Sequence, residues 1–284
     1  MKTAIFSVIF PGNINFFSDF IGSVNRQSTL SFDLFLINDG VAENELNQYL
    51  LKLKVNYVVY PVSGLSIIGN RIYGLQKLSN AGYEYIVFAD TDDLLSPNRV
   101  EASIESLKSH DVVFNDLCTV NETAQIIKKH YWKDRIKNTR IDRDFLIDKN
   151  VLGLGNTAIK SRLLNDFSIE VKDDIIAFDW LLFWYLLQNK DACFIKDAYT
   201  LYRQYDDNCI GLKNLTLERI QLILKVKQRH YKALIGDFPF LEKNLIDVES
   251  LQKKMDASKS FNFIENIPKF NFFWWEETNY LNEI

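Results

Sequence analysis

The chain has 284 residues, of which 47 % are hydrophobic and 25 % charged, and its net charge is −4. At about 150 residues per domain this allows one large α/β domain or a domain plus a tail, and it excludes global disorder and fibrous repeats. The charge balance gives no basic surplus for nucleic acid, and three cysteines without CxxC spacing and three scattered histidines exclude a disulfide framework and a thiolate or HExxH zinc site.

The opening MKTAIFSVIF superficially looks like a secretion signal, but its apolar stretch is short and runs into Pro11-Gly12-Asn13. The longest later apolar run, Trp180 to Leu187, is far below the roughly 20 residues of a membrane span. A cytoplasmic protein without a transmembrane segment is expected.

Thr3 to Phe10 is a continuous β-rich run, as in a strand buried on both faces, and Phe16, Phe17, Phe20, Ile21 and Val24 then recur at helical spacing. FDLFLI (Phe32 to Ile37) is a second strand, followed by the helical ENELNQYLLKL. NYVVY (Asn56 to Tyr60) precedes a helix reaching about Asn80, and YEYIVFA (Tyr83 to Ala89) precedes one starting near Pro97 and leading to DVVFNDL (Asp111 to Leu117). Alternating strands and helices with short connections imply right-handed crossovers and a mainly parallel sheet.

Polar residues and glycines gather where these strands end: Pro11-Gly12-Asn13, Asn38-Asp39-Gly40, Pro61-Val62-Ser63 and Asp90-Thr91-Asp92-Asp93. Open parallel sheets bind ligands outside their carboxyl ends. Turn chemistry accounts for Asn-Asp-Gly but poorly for three aspartates after an apolar strand. Close carboxylates repel unless a cation holds them, and a hard ion such as Mg²⁺ or Mn²⁺ suits oxygen ligands. Helix capping near Pro97 is the competing reading, although capping needs one aspartate.

FADTDDLLSPNRV resembles the FLDxDDxxxPxxL signature of family 2 glycosyltransferases, which have the GT-A fold and a DxD motif. SVIFPGN is similar to their opening strand, with Gly12 in place of the usual Tyr. LFLINDG, GNRIYGL and LYRQYDDN match further elements in the family's order, from Met1 to about Gly211. The resemblance implies an α/β GT-A fold: a mainly parallel, Rossmann-like sheet flanked by helices, with a helical and aromatic C-terminal extension. The catalytic domain would span 1–211, with 1–117 binding the nucleotide-sugar and 118–211 facing the acceptor, and the extension would span 212–284.

The roles follow from that resemblance. Donor binding falls to Pro11, Asn13, Asp39, Arg71, Asp90, Thr91, Asp93, Arg203 and Gln204, with Asp39 accepting from the base. Asp92 is the principal ligand of Mn²⁺ or Mg²⁺ and Asp90 a second contact. Arg203 and Gln204 would close over the donor phosphates, where an arginine fork suits bidentate contact, with a surface salt bridge as the competing role for Arg203. Tyr205 stands where a histidine is frequent, so a histidine contact to the metal is lost. The catalytic base is assigned to Asp179, which opens the apolar FDWLLFWYLL segment with Phe178 where the family has Glu. A carboxylate there would be partly desolvated and its pKa raised; an ordinary N-cap is the alternative, and Asp173 and Asp174 are lower-ranked competitors.

The implied activity is that of an inverting, metal-dependent hexosyltransferase. A nucleoside-diphosphate sugar, by expectation a UDP-sugar, gives its sugar to a hydroxyl of a glycan, lipid-linked or protein-linked acceptor in surface polysaccharide or glycoconjugate synthesis. A non-catalytic nucleotide-sugar or glycan binding module is the alternative. Gly153 to Ala158 fits GxGxxA, but its context is wrong for a dinucleotide site; the resemblance makes it a loop and strand beside the acceptor. Lys128 to Arg143, rich in Lys and Arg among Asp residues, is expected to form a solvated helix face, with contact to a phosphorylated acceptor as the alternative. Leu215 to about Ser258 reads as helical. The aromatic end, with Phe272, Phe273, Trp274 and Trp275, is expected to pack back on the domain, with an oligomer contact or peripheral membrane contact at the cytoplasmic face as alternatives.

Overall fold

The computed structural model describes residues 2–165, 174–205, 216–257 and 277–278. Asp173 and the aromatic end apart from Glu277 and Thr278 lie outside the described residues. The chain divides into two units. The first comprises Met1–Asp142, Leu152–Ser168 and Leu186–Asp206; the second comprises Arg143–Val151, Ile169–Tyr185 and Asp207–Ile284.

The first unit is built on a ten-stranded sheet. β1 (Thr3–Ile9) is apolar on both faces and takes the centre of a parallel set with β2 (Asp33–Asp39), β3 (Asn56–Val62) and β4 (Tyr85–Phe88), in the order β3-β2-β1-β4. The connecting helices are α1 (Ile14–Asn25), α2 (Glu43–Leu50) and α3 (Ile67–Ser79). β5 (Leu94–Leu95) and α4 (Arg99–Leu107) lead to β6 (Val112–Val120), whose nine residues are all buried.

Beyond β4 the sheet changes character. β9 (Thr157–Lys160) lies antiparallel between β4 and β6, and β10 (Ala192–Arg203) runs parallel to β6 and antiparallel to β5. Two short strands, β7 (Ile126–Lys128) and β8 (Arg140–Ile141), pair with β6 and β10. The sheet is thus mixed but mostly parallel, and every parallel strand in the first set ends its carboxyl side in one of the polar clusters.

The segment expected as a solvated helix face, 128–143, is not helical. It consists of β7, turns and β8, with His130 in the left-handed region at φ 54°. The apolar residues it contains, Tyr131, Trp132, Ile136 and Ile141, are buried. Buried Asp116 of β6 anchors the start of the segment: its Oδ1 accepts from the backbone N–H of Trp132 at 2.6 Å and of Leu117 at 2.9 Å, and its Oδ2 lies 3.1 Å from His130 Nδ1. Tertiary docking, not a helical period, sets the course of this chain.

In the second unit, α5 (Phe178–Leu186) is apolar around its circumference, which marks a buried helix. α6 (Leu217–Leu234) starts at Thr216, whose hydroxyl caps Arg219 N at 3.2 Å, and is followed by α7 (Glu242–Ala257). Trp180 donates from Nε1 to Leu146 O at 2.8 Å and stacks on the buried His230 ring at 3.8 Å between centroids. Buried Lys227 donates to Asp148 O and to Thr278 Oγ1, at 3.1 and 3.0 Å. Among the described residues no helix is long and apolar enough to cross a membrane.

Candidate active site

Three loops of the first unit carry the candidate site, each at the carboxyl end of a parallel strand. After β1 the chain turns through exposed Pro11 to buried Asn13, which donates from Nδ2 to Thr91 Oγ1 at 3.4 Å. Thr91 is fully buried and donates to Val8 O at 3.0 Å, which ties the acidic loop back onto β1. Asn13 and Thr91 are therefore structural partners of one another as well as members of the expected donor set.

Asp39 is the last residue of β2. Its Oδ2 accepts a 2.6 Å bond from Asn70 Nδ2 on α3, and the neighbouring Arg71 is partly exposed. α3 is brought this close by Gly74, one turn after Asn70: a Cβ there would fall 2.4 Å from Phe6 Cε2 and Cζ. The cap at its start, Ser66 Oγ accepting from Gly69 N at 3.0 Å, fixes where its first turn begins.

The acidic loop follows β4. Asp93 is 1 % exposed and Asp90 and Asp92 are partly exposed. Asp93 Oδ1 accepts from Arg203 N at 2.9 Å, while its Oδ2 is buried without a partner among the described residues. Gly155 lies directly against this pair, since a Cβ on it would be 3.0 Å from both Asp90 Oδ2 and Asp93 Oδ2. Burial, and then the charges of Asp92 and Asp90, push the Asp93 carboxyl well above the ordinary carboxylate value; burial raises Asp92 too. An acidic loop in this condition is short of positive charge.

The protein supplies part of that charge. Arg203, expected over the donor phosphates, ends β10 with a fully buried side chain. Its Nε donates to Asp92 O at 2.7 Å, Nη1 to Glu122 O, and Nη2 to Asp19 Oδ2 at 2.7 Å, and Phe16 lies under the guanidinium at 4.6 Å. The guanidinium thus braces the acidic loop from within the fold. Gln204 continues the strand pairing by donating from N to Val120 O at 2.8 Å. Tyr205 donates from Oη to Asp92 Oδ2 at 2.7 Å and packs against Phe16, with ring centroids 4.9 Å apart. Burial, and next the Asp92 charge, raise the Tyr205 phenol pKa, so it remains a donor.

Residues 14–167 match the family model described as glycosyl transferase family 2. The chain belongs to this family. An uncharacterized glycosyltransferase of Rickettsia bellii is 31 % identical over 120 residues, which are 40 % of this chain and 17 % of that protein. The dTDP-rhamnosyl transferase RfbG of Shigella flexneri is 24 % identical over 202 residues, 66 % of this chain and 68 % of that one. Among solved structures, residues 1–349 of S. aureus TarS in complex with UDP-GlcNAc superpose with a TM-score of 0.60 at 16 % identity, covering 95 % of this chain and 77 % of that one. That likeness carries the GT-A fold, while the chain spans only 17 % of the length of the Rickettsia relative.

The fit of the family 2 site to a divalent cation rests on the donor chemistry. Asp90, Asp92 and Asp93 offer carboxylate oxygens, and one buried oxygen of Asp93 is unpartnered among the described residues. No group of three or more His, Cys, Asp or Glu side chains among the described residues surrounds one cation position. Mg²⁺-type sites need only one or two carboxylates, completed by substrate phosphates and water, so the residues present fit.

Asp179 lies in the first turn of α5, in the second unit, and is partly buried; its Oδ1 accepts from Trp180 N at 2.9 Å. Its rival Asp174 is exposed and its backbone oxygen accepts from Arg229 Nη1 at 2.8 Å. Sequence reasoning missed Asn70, Asp19 and the bond between Tyr205 and Asp92. The signal for Asn70 was an Asn inside the otherwise apolar start of a helix, where Asn is a poor former.

Proposed function

We propose that the protein is an inverting glycosyltransferase that transfers a sugar from a pyrimidine nucleoside-diphosphate donor, a UDP-sugar first, to an acceptor hydroxyl. The observation that carries this reading is the acidic loop after β4, with an Asp93 oxygen unpartnered among the described residues, at the same carboxyl edge of the parallel strands as Asp39 at the end of β2. The names of two similar proteins support the donor class: one is a dTDP-rhamnosyl transferase and one was solved with UDP-GlcNAc. Uracil and thymine share an N3–H donor and flanking carbonyls, which suits a carboxylate acceptor.

In this reading Asp39 accepts from the base and Arg71 approaches the base or the diphosphate. Asp92 and Asp90 hold Mn²⁺ or Mg²⁺, which when bound neutralises the diphosphate as it leaves. Asp93, buried and crowded by its neighbours, contacts the donor sugar or the metal. Asp179 takes the proton from the acceptor hydroxyl as its oxygen forms a bond to the anomeric carbon; the carbon–phosphate oxygen bond breaks on the opposite side, inverting the configuration and releasing the nucleoside diphosphate. The acceptor is proposed to be a glycan, lipid-linked or protein-linked sugar of a surface polysaccharide or glycoconjugate, and the location cytoplasmic.

The test pairs binding with turnover. UDP-sugars in the presence of Mn²⁺ should raise the melting temperature, since ligands bound only to the native state stabilise it. Asp179→Asn should keep that shift and lower transfer by at least about 100-fold, the scale of general-base catalysis. Unchanged turnover removes Asp179 from the role. A shift without donor hydrolysis or transfer would favour a nucleotide-sugar binding module, and no shift with any donor would favour a glycan-binding one.

A further inference from the structure

Asn70 is 1 % exposed, yet its amide makes one hydrogen bond among the described residues. Nδ2 donates to Asp39 Oδ2 at 2.6 Å, and Oδ1 is buried without a partner among the described residues. Burying an amide oxygen unpaired is unfavourable, and apolar residues at this position of α3 would avoid it. The exposed neighbours of Asn70 in sequence have no such constraint: Leu65 and Ile67 face solvent. Something other than packing holds an Asn here.

The bond itself supplies the reason. Asp39 sits at the very end of β2, where its carboxylate is otherwise free to rotate about its last torsion. Asn70 fixes one oxygen; the other, Oδ1, accepts no bond from the described residues. Gly74, pressed against Phe6 and Ile37, sets the distance of α3 from the sheet, so the 2.6 Å bond is held by backbone placement. A carboxylate with one oxygen committed and its plane fixed is a directional acceptor.

We propose that Asn70 is a positioning residue that fixes Asp39 as a single-oxygen acceptor and thereby makes the donor site select bases with an N3–H, uracil or thymine, over cytosine. This rests on the reading of Asp39 as the base contact. Uracil N3–H donates to the remaining oxygen, Oδ1, whose direction the Asn70 bond sets, whereas cytosine presents a lone pair at N3 and meets repulsion. A hydrogen bond to a charged group gives discrimination on the order of tenfold or more.

The test uses the full chain and isothermal titration with UDP, dTDP and CDP, each with Mn²⁺. Wild type should prefer UDP and dTDP over CDP by at least about tenfold. Asn70→Ala should weaken UDP about fivefold or more and leave CDP nearly unchanged, so the ratio falls. Asn70→Asp, equal in volume, also loses the N–H donor and should lower the same ratio if alanine proves too disruptive to fold. Asp39→Ala is run alongside. A ratio that collapses in Asp39→Ala but persists in both Asn70 variants overturns the positioning role and leaves the base contact standing. A wild type that does not discriminate, or a ratio unmoved by Asp39→Ala, overturns the base contact and this inference with it.

Discussion

Replacing Gly74 by Ala tests whether α3 is pressed onto the sheet as tightly as the geometry says. The new methyl would lie 2.4 Å from Phe6 Cε2 and Cζ and 3.1 Å from Ile37 Cγ1. Ordinary carbon contacts are about 3.5–4.0 Å, so the ring or the helix must retreat by about 1 Å or more. The ring has little room, because Phe6 is held against Phe35 and Phe88 at centroid distances of 6.2 and 6.0 Å. Overpacking costs about 1–3 kcal/mol, and a clash with two ring atoms belongs near the upper end. Alanine recovers about 1 kcal/mol of helix propensity, leaving a net loss of about 2 kcal/mol. Urea unfolding should show this as a lower midpoint at unchanged slope. Asn70 lies on the same helical face one turn earlier, so UDP affinity should weaken in the same variant. A midpoint that rises would mean propensity outweighs contact, and the tight docking of α3 would be refuted.

Gly155→Ala puts a methyl 3.0 Å from Asp90 Oδ2 and Asp93 Oδ2; Mn²⁺-dependent UDP binding should weaken several-fold in calorimetry while the melting temperature stays nearly constant, and unchanged binding would separate Gly155 from the site. Tyr205→Phe removes the phenol that donates to Asp92; with a hydrogen bond worth about 1 kcal/mol, the Mn²⁺ concentration for half-maximal UDP binding should fall by up to about fivefold, and a rise would show that the phenol assists the ion. His230 is buried with neither ring nitrogen partnered among the described residues, and burial, then the Lys227 charge, hold its pKa well below 6.5. The unfolded chain therefore takes up a proton below about pH 6.5 that the folded chain refuses, so stability falls with pH by up to about 1.4 kcal/mol per unit. His230→Phe should flatten that acid limb in a pH series of urea midpoints; an unchanged limb would assign it to other groups.

The central strands were legible because burial on both faces leaves an unbroken apolar run: Thr3 to Ile9 and Tyr85 to Phe88 appear in the chain as they do in the fold. The acidic loop was legible because three carboxylates after such a run have no packing explanation. Residues 128–143 were not, since their path depends on Asp116 of β6, a contact that no local period encodes. The resemblance puts Arg203 in a closing loop; the pairing of β10 with β6, which extends to Arg203 and buries its side chain against Asp92 O, is a contact the local sequence does not encode. Asn70 needed a partner 31 residues away before its role could be seen.

The antiparallel β9 has a consequence for synthesis on the ribosome. Tyr85, Ile86 and Val87 pair with Lys160, Ile159 and Ala158, and the other edge of β9 pairs with Val112 to Phe114. A nascent chain that has emerged only as far as β6 holds the parallel strands β1 to β4 complete, yet carries two apolar strand edges, on β4 and β6, with no neighbour between them. Such edges are templates for pairing with another chain. Four residues made some 40 positions later, Thr157–Lys160, close both at once. The safety of the half-made protein thus depends on how quickly the ribosome reaches that short strand, well after every aspartate of the acidic loop has been laid down.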